Sequence, residues 1–524
     1  MQRYEKEKHM IQQIFRSALL GTALGVLAAS GAYAQGGGGE LVVVANQEPQ
    51  HMQAQVTYKE INSVGLRNVI EQLTRIDDNT GEVLPMLATS WKQVSPTVWH
   101  FKLREGITFH DGTPLDGEAA AVGINHAWSP DNDYDIRANM GPQITAEAVD
   151  ESTVAVITAA PDPLLPKRMY LGGISSAKQI LENPADYDLH PIGTGPYVFD
   201  EWKQGQYVTQ KANPDWWGNT AADTYGEIYF DSVRIVWRSE PIVRAAMVQS
   251  GEAHVAMFLT PEECERFNAT GGIKCKGKGS DTYLQFRLDY HDAHPLLTDL
   301  DFRKAVHTAI DWDGIRVNLM GLGQPLPGQM LPSVATGFHE GIQQYPYDPA
   351  GAKAIVEKLK ASGADMPSIH IATRLGSTPR NGEMVEAMGA MLDAVGIPNT
   401  VAVEEPGVFN PWVTTKPNPK RSSAWLHPLG NPLMDNAASF GASFSCGGRI
   451  SVFCDPDFDA RVAIAATLSG DERHTALRDL VKEGHDRYVV TAVGLLERAY
   501  GLPENFEWDF GLDHRIVAVN MRLK

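Results

Sequence analysis

Residues 231–258, DSVRIVWRSEPIVRAAMVQSGEAHVAMF, pass from a β-branched run into an amphipathic stretch, a glycine stop and a second apolar run. The passage reads as strand, helix, strand, and it restricts the chain to folds that mix α and β. The same alternation recurs elsewhere. LVVVANQ (41–47) reads as a buried strand. TVWHFKLREGITF (97–109) and STVAVITAA (152–160) read as strands too, and YVFDEW and YVTQKA flank Lys203-Gln204-Gly205-Gln206 as a hairpin. VGLRNVIEQLTRI (64–76) has helical spacing. Residues 301–320 and 348–363 read as amphipathic helices begun by Asp, 368–397 as strand then helix, and 457–468 and 471–488 as late helices. The Pro- and Gly-rich string SSAWLHPLGNPLMDN (422–436) reads as a loop. At 524 residues the chain exceeds one ordinary core, so two or more lobes are expected.

The first residues predict export. Arg3, Lys6, Lys8 and Arg16 precede a short apolar run of small residues, and Ala32-Tyr33-Ala34 supplies a cleavage site before Gln35. The run is short for a bilayer span, and a lipid anchor would need Cys where Gln35 stands. A formal net charge of −19 disfavours nucleic acid as a partner. The four cysteines fall into two close pairs. In an oxidising compartment the simplest reading is two local disulfides, Cys264–Cys275 and Cys446–Cys454; a four-thiolate zinc site is the competing one, without any C-x-x-C to support it.

Enzyme motifs are sparse. Ser175-Ser176-Ala177-Lys178 matches S-x-x-K, but neither S-D-N nor K-T-G accompanies it. No G-x-S-x-G and no H-E-x-x-H occurs. Asp455, Asp457 and Asp459 imitate the start of a calcium loop, yet Ala460 and Ala466 replace its glycine and closing glutamate, which leaves helix capping. His291 and His294 share a Pro-containing loop and read as solvated. No cofactor is expected.

Longer strings carry a family resemblance. GEVLPMLATSWKQVSPTVWHFKLREGITFHDGTPLDGEAAAVGINHAW (81–128), PIGTGPYVFDEWKQGQYVTQKANPDWWG (191–218), residues 231–257, LLTDLDFRKAVHTAIDWDGI (297–315 and neighbours) and YPYDPAGAKAIVEKL (345–359) resemble the extracellular solute-binding proteins of ABC importers. The relevant branch is solute-binding protein family 5, with its dipeptide, oligopeptide and nickel binders. The resemblance implies an α/β, two-lobed periplasmic-binding-protein fold of class II-like type, with lobes joined by two crossing strands and a ligand cleft between them. It implies lobe I at 35–282 plus 501–524, with a subdomain about 77–197, and lobe II at 283–500, after a signal peptide at 1–34. It also implies a periplasmic monomer without catalysis, whose partners are a small solute and an inner-membrane ABC permease with its ATPase. Gly193, Gly195 and Pro196 are expected as turn formers, and Trp91, Trp99, Phe101 and Trp216 as core.

The same resemblance places ligand contacts. An arginine after a lobe II strand holds the ligand carboxylate in dipeptide binders, and Arg374 stands at that place, with Arg380 as the fallback. Where relatives carry an aspartate for the peptide ammonium, this chain has Pro428, in register with Gly430-Asn431-Pro432. Asp435 substitutes only if the loop folds differently. Trp425, His427, Asn431 and Tyr58 complete the candidate contacts. The expected solute is a carboxylate-bearing peptide-like or opine-like compound; a nickel or metal chelate is the alternative within the family, and an exported hydrolase a remote one.

Overall fold

The computed structural model describes residues 38–524 except 50, 54–63, 78–79, 130–140, 142, 188, 291–293, 322–327, 415–422, 449, 509–510 and 512–514. Its strands are β1 (Glu40–Ala45), β2 (Thr74–Ile76), β3 (Val83–Pro85), β4 (Ala88–Ser95), β5 (Val98–Leu103), β6 (Ile144–Asp150), β7 (Thr153–Thr158), β8 (Tyr197–Lys203) and β9 (Tyr207–Ala212). The chain continues with β10 (Ser232–Trp237), β11 (Val255–Leu259), β12 (Ile273–Leu288), β13 (Ile369–Arg374), β14 (Asn399–Glu404), β15 (Ser423–Gly430), β16 (Val490–Pro503), β17 (Phe506–Trp508) and β18 (Met521–Leu523). Among the described residues ten of them form one sheet in the order β14-β13-β15-β12-β16-β11-β1-β10-β9-β8.

Two long strands, β12 and β16, hold the two halves of that sheet together. They pair antiparallel from Ile273↔Pro503 to Arg287↔Val490, with register shifts between Gly279 and Tyr283 and between Leu284 and Gln285. The first half of β12 lies beside β11 through β16, and its second half pairs with β15. Each half therefore buries its own core. One cluster gathers Leu284, Phe302, Trp312, Ile371, Met388 and Leu426. Another gathers Val43, Tyr197, Trp216, Ile235, Met257 and Tyr500. A four-stranded sheet, β4-β5-β7-β6, packs on the helix Gly117–Trp128 around Phe101 and Val154 and makes a third layer beside the first half.

The expected hairpin is β8–β9, and the strand–helix–strand passage is β10, the helix Pro241–Gln249 and β11. Three expectations change. Residues 64–76 give only a helical turn at Leu66–Val69 and then β2, because Asn68, Glu71 and Thr74 turn inward to bond distant partners. The stretch from 301 is two helices, Leu300–Ala309 and Trp312–Asn318, capped by Asp299 and Asp311 rather than Asp301. Residues 423–430 are strand β15, not loop. Pro428 is tolerated because β15 follows β13 only as far as Leu426, so no ladder on that side needs its missing N–H.

The glycines of the second family string have another reason than turn formation. Neither Gly193 nor Gly195 has positive φ. A Cβ would stand 2.1 Å from the Val69 carbonyl oxygen at Gly193 and 2.4 Å from that of Asn68 at Gly195. The two family strings meet here, since the His110 amide donates to Gly193 O and its Nε2 lies 2.9 Å from Gly195 O. Trp216 and Phe101 are buried as expected, while Trp91 and Trp99 cover the core from its edge.

Both expected disulfides form. Cys264–Cys275 ties the helix Pro261–Thr270 to the start of β12, and Cys446–Cys454 closes a loop before the helix Pro456–Thr467. This removes the four-thiolate zinc alternative. Asp455 caps that last helix through Asp457 N and Phe458 N, Ser176 caps the helix Ala177–Glu182, and His294 accepts the Leu296 amide, so these motif residues are structural. His291 lies outside the described residues. Among the described residues no helix is long and apolar enough to cross a membrane.

A buried histidine makes the fold acid-sensitive. His254 Nδ1 accepts the Val42 amide at 3.1 Å, and its ring packs on Phe230 and Phe506. Burial brings its pKa down to about 4. The unfolded chain takes up this proton near the ordinary value of 6.5 and the folded chain does not. Its contribution is thus complete above that value and is lost as pH falls towards 4, a change on the order of 3 kcal/mol. Urea unfolding at pH 7 and pH 4.5 is expected to show a steeper loss for the wild type than for His254→Gln, whose amide oxygen still accepts from Val42. Equal slopes would remove His254 from the account.

Candidate functional site

Strand direction locates the cleft. β1 runs parallel to β10 and β11, and all three point along β12 towards its second half. β15 runs against β12 and parallel to β13. The C-terminal ends of the two groups therefore face each other across the middle of β12 and β16. Crevices at carboxyl ends of parallel strands are where α/β folds take ligands, because loops and free backbone groups converge there.

On the β13–β15 side, Ala372 stands opposite Trp425 in the parallel register. Side chains alternate along a strand, so Arg374 and His427, two positions further on each, share that face and lie at its cleft end. Gln285 of β12 stands opposite His427 from the other side. The helix Pro406–Thr414 covers the face. Phe409 packs on the His427 ring at 5.3 Å, and Trp412 packs edge-on against Trp425 at 5.8 Å and His370 at 5.7 Å.

Arg374 is the cation of this row. It is half-buried, burial pulls its pKa below the ordinary arginine value, and its guanidinium makes no hydrogen bond or ion pair with the described residues. It stays charged at any physiological pH. The fallback, Arg380, is engaged. It sits in the left-handed region (φ 57°) before the helix Asn381–Ala394 and is held by Glu383 at 2.7 Å and by the Asn318 carbonyl.

The other sequence candidates separate. Trp425 is 2% exposed in an apolar cluster with Ala372, Phe440 and Phe453, which is a packing position. Asn431 donates to the Asp435 carbonyl and to Ser439 Oγ, both at 2.9 Å, and so holds the turn after β15. Tyr58 lies outside the described residues. Asp435, 0% exposed, is bound by Arg473 through two bonds of 2.8 Å and accepts the Ala437 amide at 2.9 Å. It is therefore engaged within the protein by Arg473 and the Ala437 amide.

Three polar groups escaped the sequence reading. The Thr378 hydroxyl, in the loop after β13, is buried without a hydrogen-bond partner. Across the cleft, just past β1, the carbonyl oxygens of Asn46 and Gln53 are in the same state. A buried polar atom left unpaired costs roughly 1–3 kcal/mol. Their only sequence signal is their place just after a strand. Among the described residues no group of three or more His, Cys, Asp and Glu side chains is arranged to hold a metal.

Residues 82–448 match the family described as Bacterial extracellular solute-binding proteins, family 5 Middle. The chain belongs to this family. A glutathione-binding protein, GsiB, of Shigella flexneri serotype 5b is 28% identical over 282 residues, which is 50% of this chain and 49% of that protein. The chain thus spans about half the length of the curated relatives it matches. Among solved structures, the periplasmic binding protein DppA of Helicobacter pylori in complex with the peptide STSA is similar with a TM-score of 0.74 and 20% identity, covering 93% of this chain and 98% of that one. NikZ of Campylobacter jejuni in complex with Ni(L-His) is similar with a TM-score of 0.72 and 20% identity, covering 91% and 96%. The fold is that of the family 5 substrate-binding proteins, and the crevice between β1, β10 and β11 on one side and β13 and β15 on the other is the candidate ligand cleft.

Proposed function

We propose that the chain is the periplasmic solute-binding component of an ABC import system. It captures a small carboxylate-bearing solute, peptide-like or opine-like, without catalysis and passes it as a monomer to an inner-membrane permease. Export through the signal peptide at 1–34 belongs to this reading. So does the division into lobe I (35–282 and 501–524) and lobe II (283–500), which the register shift of β12 after Gly279 supports. Arg374 carries the proposal. A half-buried guanidinium without a partner among the described residues is a ready fork for a carboxylate. His427 beside it supplies a second polar edge, and Thr378, Asn46 and Gln53 supply neutral ones. With Pro428 in place of the acid and Asp435 tied to Arg473, neither position that the resemblance offers supplies a countercharge for an ammonium.

Mass spectrometry of what co-purifies from a native host names the solute, and calorimetry with that solute tests the residue. Arg374→Ala is expected to weaken binding roughly 10- to 150-fold, the equivalent of about 1.5–3 kcal/mol for one hydrogen bond to a charge. Unchanged affinity sinks the assignment. An N-acetylated dipeptide is expected to bind no worse than the same dipeptide with a free amine. The nickel-chelate reading has His427 and the Ni(L-His) neighbour in its favour; a thermal shift with nickel chloride that His427→Ala abolishes would establish it instead.

A further inference from the structure

A large apolar side chain sits at the tip of a turn and is nonetheless buried. β15 ends at Gly430, at the cleft, and Asn431, Pro432, Leu433 and Met434 form the turn that follows, closed by Met434 N donating to Asn431 O at 2.9 Å. Pro432 pre-sets the first central position of the turn. Leu433 occupies the second, and turn tips ordinarily face water. Leu433 is 1% exposed. The subdomain covers it. Leu433 joins the apolar cluster of Leu73, Phe101, Leu165 and Met169, and among the described residues every other buried member of that cluster lies between Leu73 and Ile174.

The base of the turn is held from its own side of the cleft. Met434 adopts the left-handed region (φ 46°), which a bulky residue keeps only when its surroundings impose it. Its side chain packs with Leu331 and Ala335, and its carbonyl accepts the Thr336 amide at 2.9 Å. Asn431 and the Asp435–Arg473 pair brace the two ends. A second contact runs alongside, since a Cβ on Gly81 of the subdomain would stand 3.0 Å from the Val334 carbonyl oxygen. The turn is thus a braced peg, built on the β13–β15 half and seated in the subdomain beside the β1–β10–β11 half. It crosses from one wall of the cleft to the other. Hinge opening of such a cleft draws Leu433 into water and empties its socket, and both changes are opposed by the apolar surface they expose.

We propose that Leu433 is a positioning residue for solute capture, a latch that biases the cleft towards its closed form. This rests on the reading of the crevice as a cleft that closes over a solute. Leu433 acts through the subdomain, so it sets how long the cleft stays shut and leaves selectivity to residues such as Arg374. Apparent affinity scales with the fraction of the competent form, so a weaker latch weakens every solute alike.

All four native cysteines are in disulfides, so Leu433→Cys introduces the one free thiol. Its alkylation by a maleimide in the solute-free protein reads the opening of the latch. The rate is expected roughly 10- to 1,000-fold below that of the denatured chain, as for an open form populated at about 0.1–10%. It is expected to stay nearly flat in urea below the unfolding transition, because hinge opening exposes little surface, whereas unfolding exposes much and climbs steeply. Ile124→Cys, in the same cluster but inside the subdomain, is expected to show the steep dependence. Small-angle X-ray scattering decides the matter should the cysteine variant unfold. Leu433→Ala is expected to enlarge the solute-free radius of gyration, and Leu433→Met to keep the wild-type value. Labelling of Leu433→Cys as fast as in the denatured chain, or with the urea dependence of Ile124→Cys, overturns the proposal, as does an unchanged radius in Leu433→Ala. No solute enters either measurement, so a wrong solute assignment, which calorimetry with Arg374→Ala exposes, fails separately from a wrong latch.

Discussion

Replacing Glu71 with leucine is expected to remove about 4 kcal/mol or more of folding stability, near the top of what single substitutions do. The carboxylate is fully buried and accepts four hydrogen bonds. Trp216 Nε1 (3.1 Å) and Tyr225 OH (2.9 Å) reach one oxygen; Trp217 Nε1 and Thr194 Oγ1 (both 2.8 Å) reach the other. Burial pushes its pKa up and the four donors pull against it, with burial the larger effect. Leucine keeps the volume and orphans all four donors. The two hydroxyls can turn to other acceptors; the two indole N–H groups cannot, and each then costs roughly 1–3 kcal/mol. Glu71→Gln is expected to fall between, because its amide oxygen still serves one pair and its NH2 meets the other pair donor to donor. Urea unfolding followed by circular dichroism measures both. A loss below about 1 kcal/mol for the leucine variant would show that the network does not hold this corner of the fold.

That corner also shows where sequence reading stops. The strings around Gly193 and Trp216 are visible as family marks, but their physical reason is a set of contacts at separations of 123 to 154 residues. Periodicity sees only neighbours in the chain. It found β1, β5, β7, the β8–β9 hairpin and the late helices, where the pattern of burial is local. It found both disulfides because their partners lie 11 and 8 residues apart. It placed Arg374 at a strand end on resemblance, and the strand ends there. It failed at 64–76, where apolar spacing suggested a helix and inward polar side chains decided otherwise. It failed at β15, where Pro428 argued against a strand and the local end of pairing with β13 made room for it. Thr378, Asn46 and Gln53 were illegible because an unpaired buried atom has no signature before the chain is folded.

Asp435 brings the two kinds of reading into direct conflict, and one substitution decides between them. Read from the sequence, it is the acid nearest to the missing ammonium anchor. Read from its surroundings, it is half of a buried ion pair with Arg473, which is 4% exposed and also donates to the carbonyls of Ala465, Ala466 and Leu468. The pair joins the turn after β15 to the helix Gly470–Asp486, 38 residues away. Lys167 of the subdomain lies close enough for both charges to act on its amine, whose pKa burial lowers first of all. Asp435→Ala leaves the Arg473 charge buried without its counterion, an expected loss of about 3–5 kcal/mol. The double variant Asp435→Leu with Arg473→Met is expected to recover most of it, short of roughly 1 kcal/mol for the Ala437 cap, because the desolvation penalty disappears along with the attraction. The functional outcome runs the other way. If Asp435 served the solute, its removal would weaken binding and spare stability. As a structural pair, it is expected to cost stability while the folded fraction, measured well below its melting temperature, keeps the solute affinity within twofold. A large affinity loss in the double variant, with the fold restored, would return Asp435 to the cleft and with it the ordinary peptide as cargo.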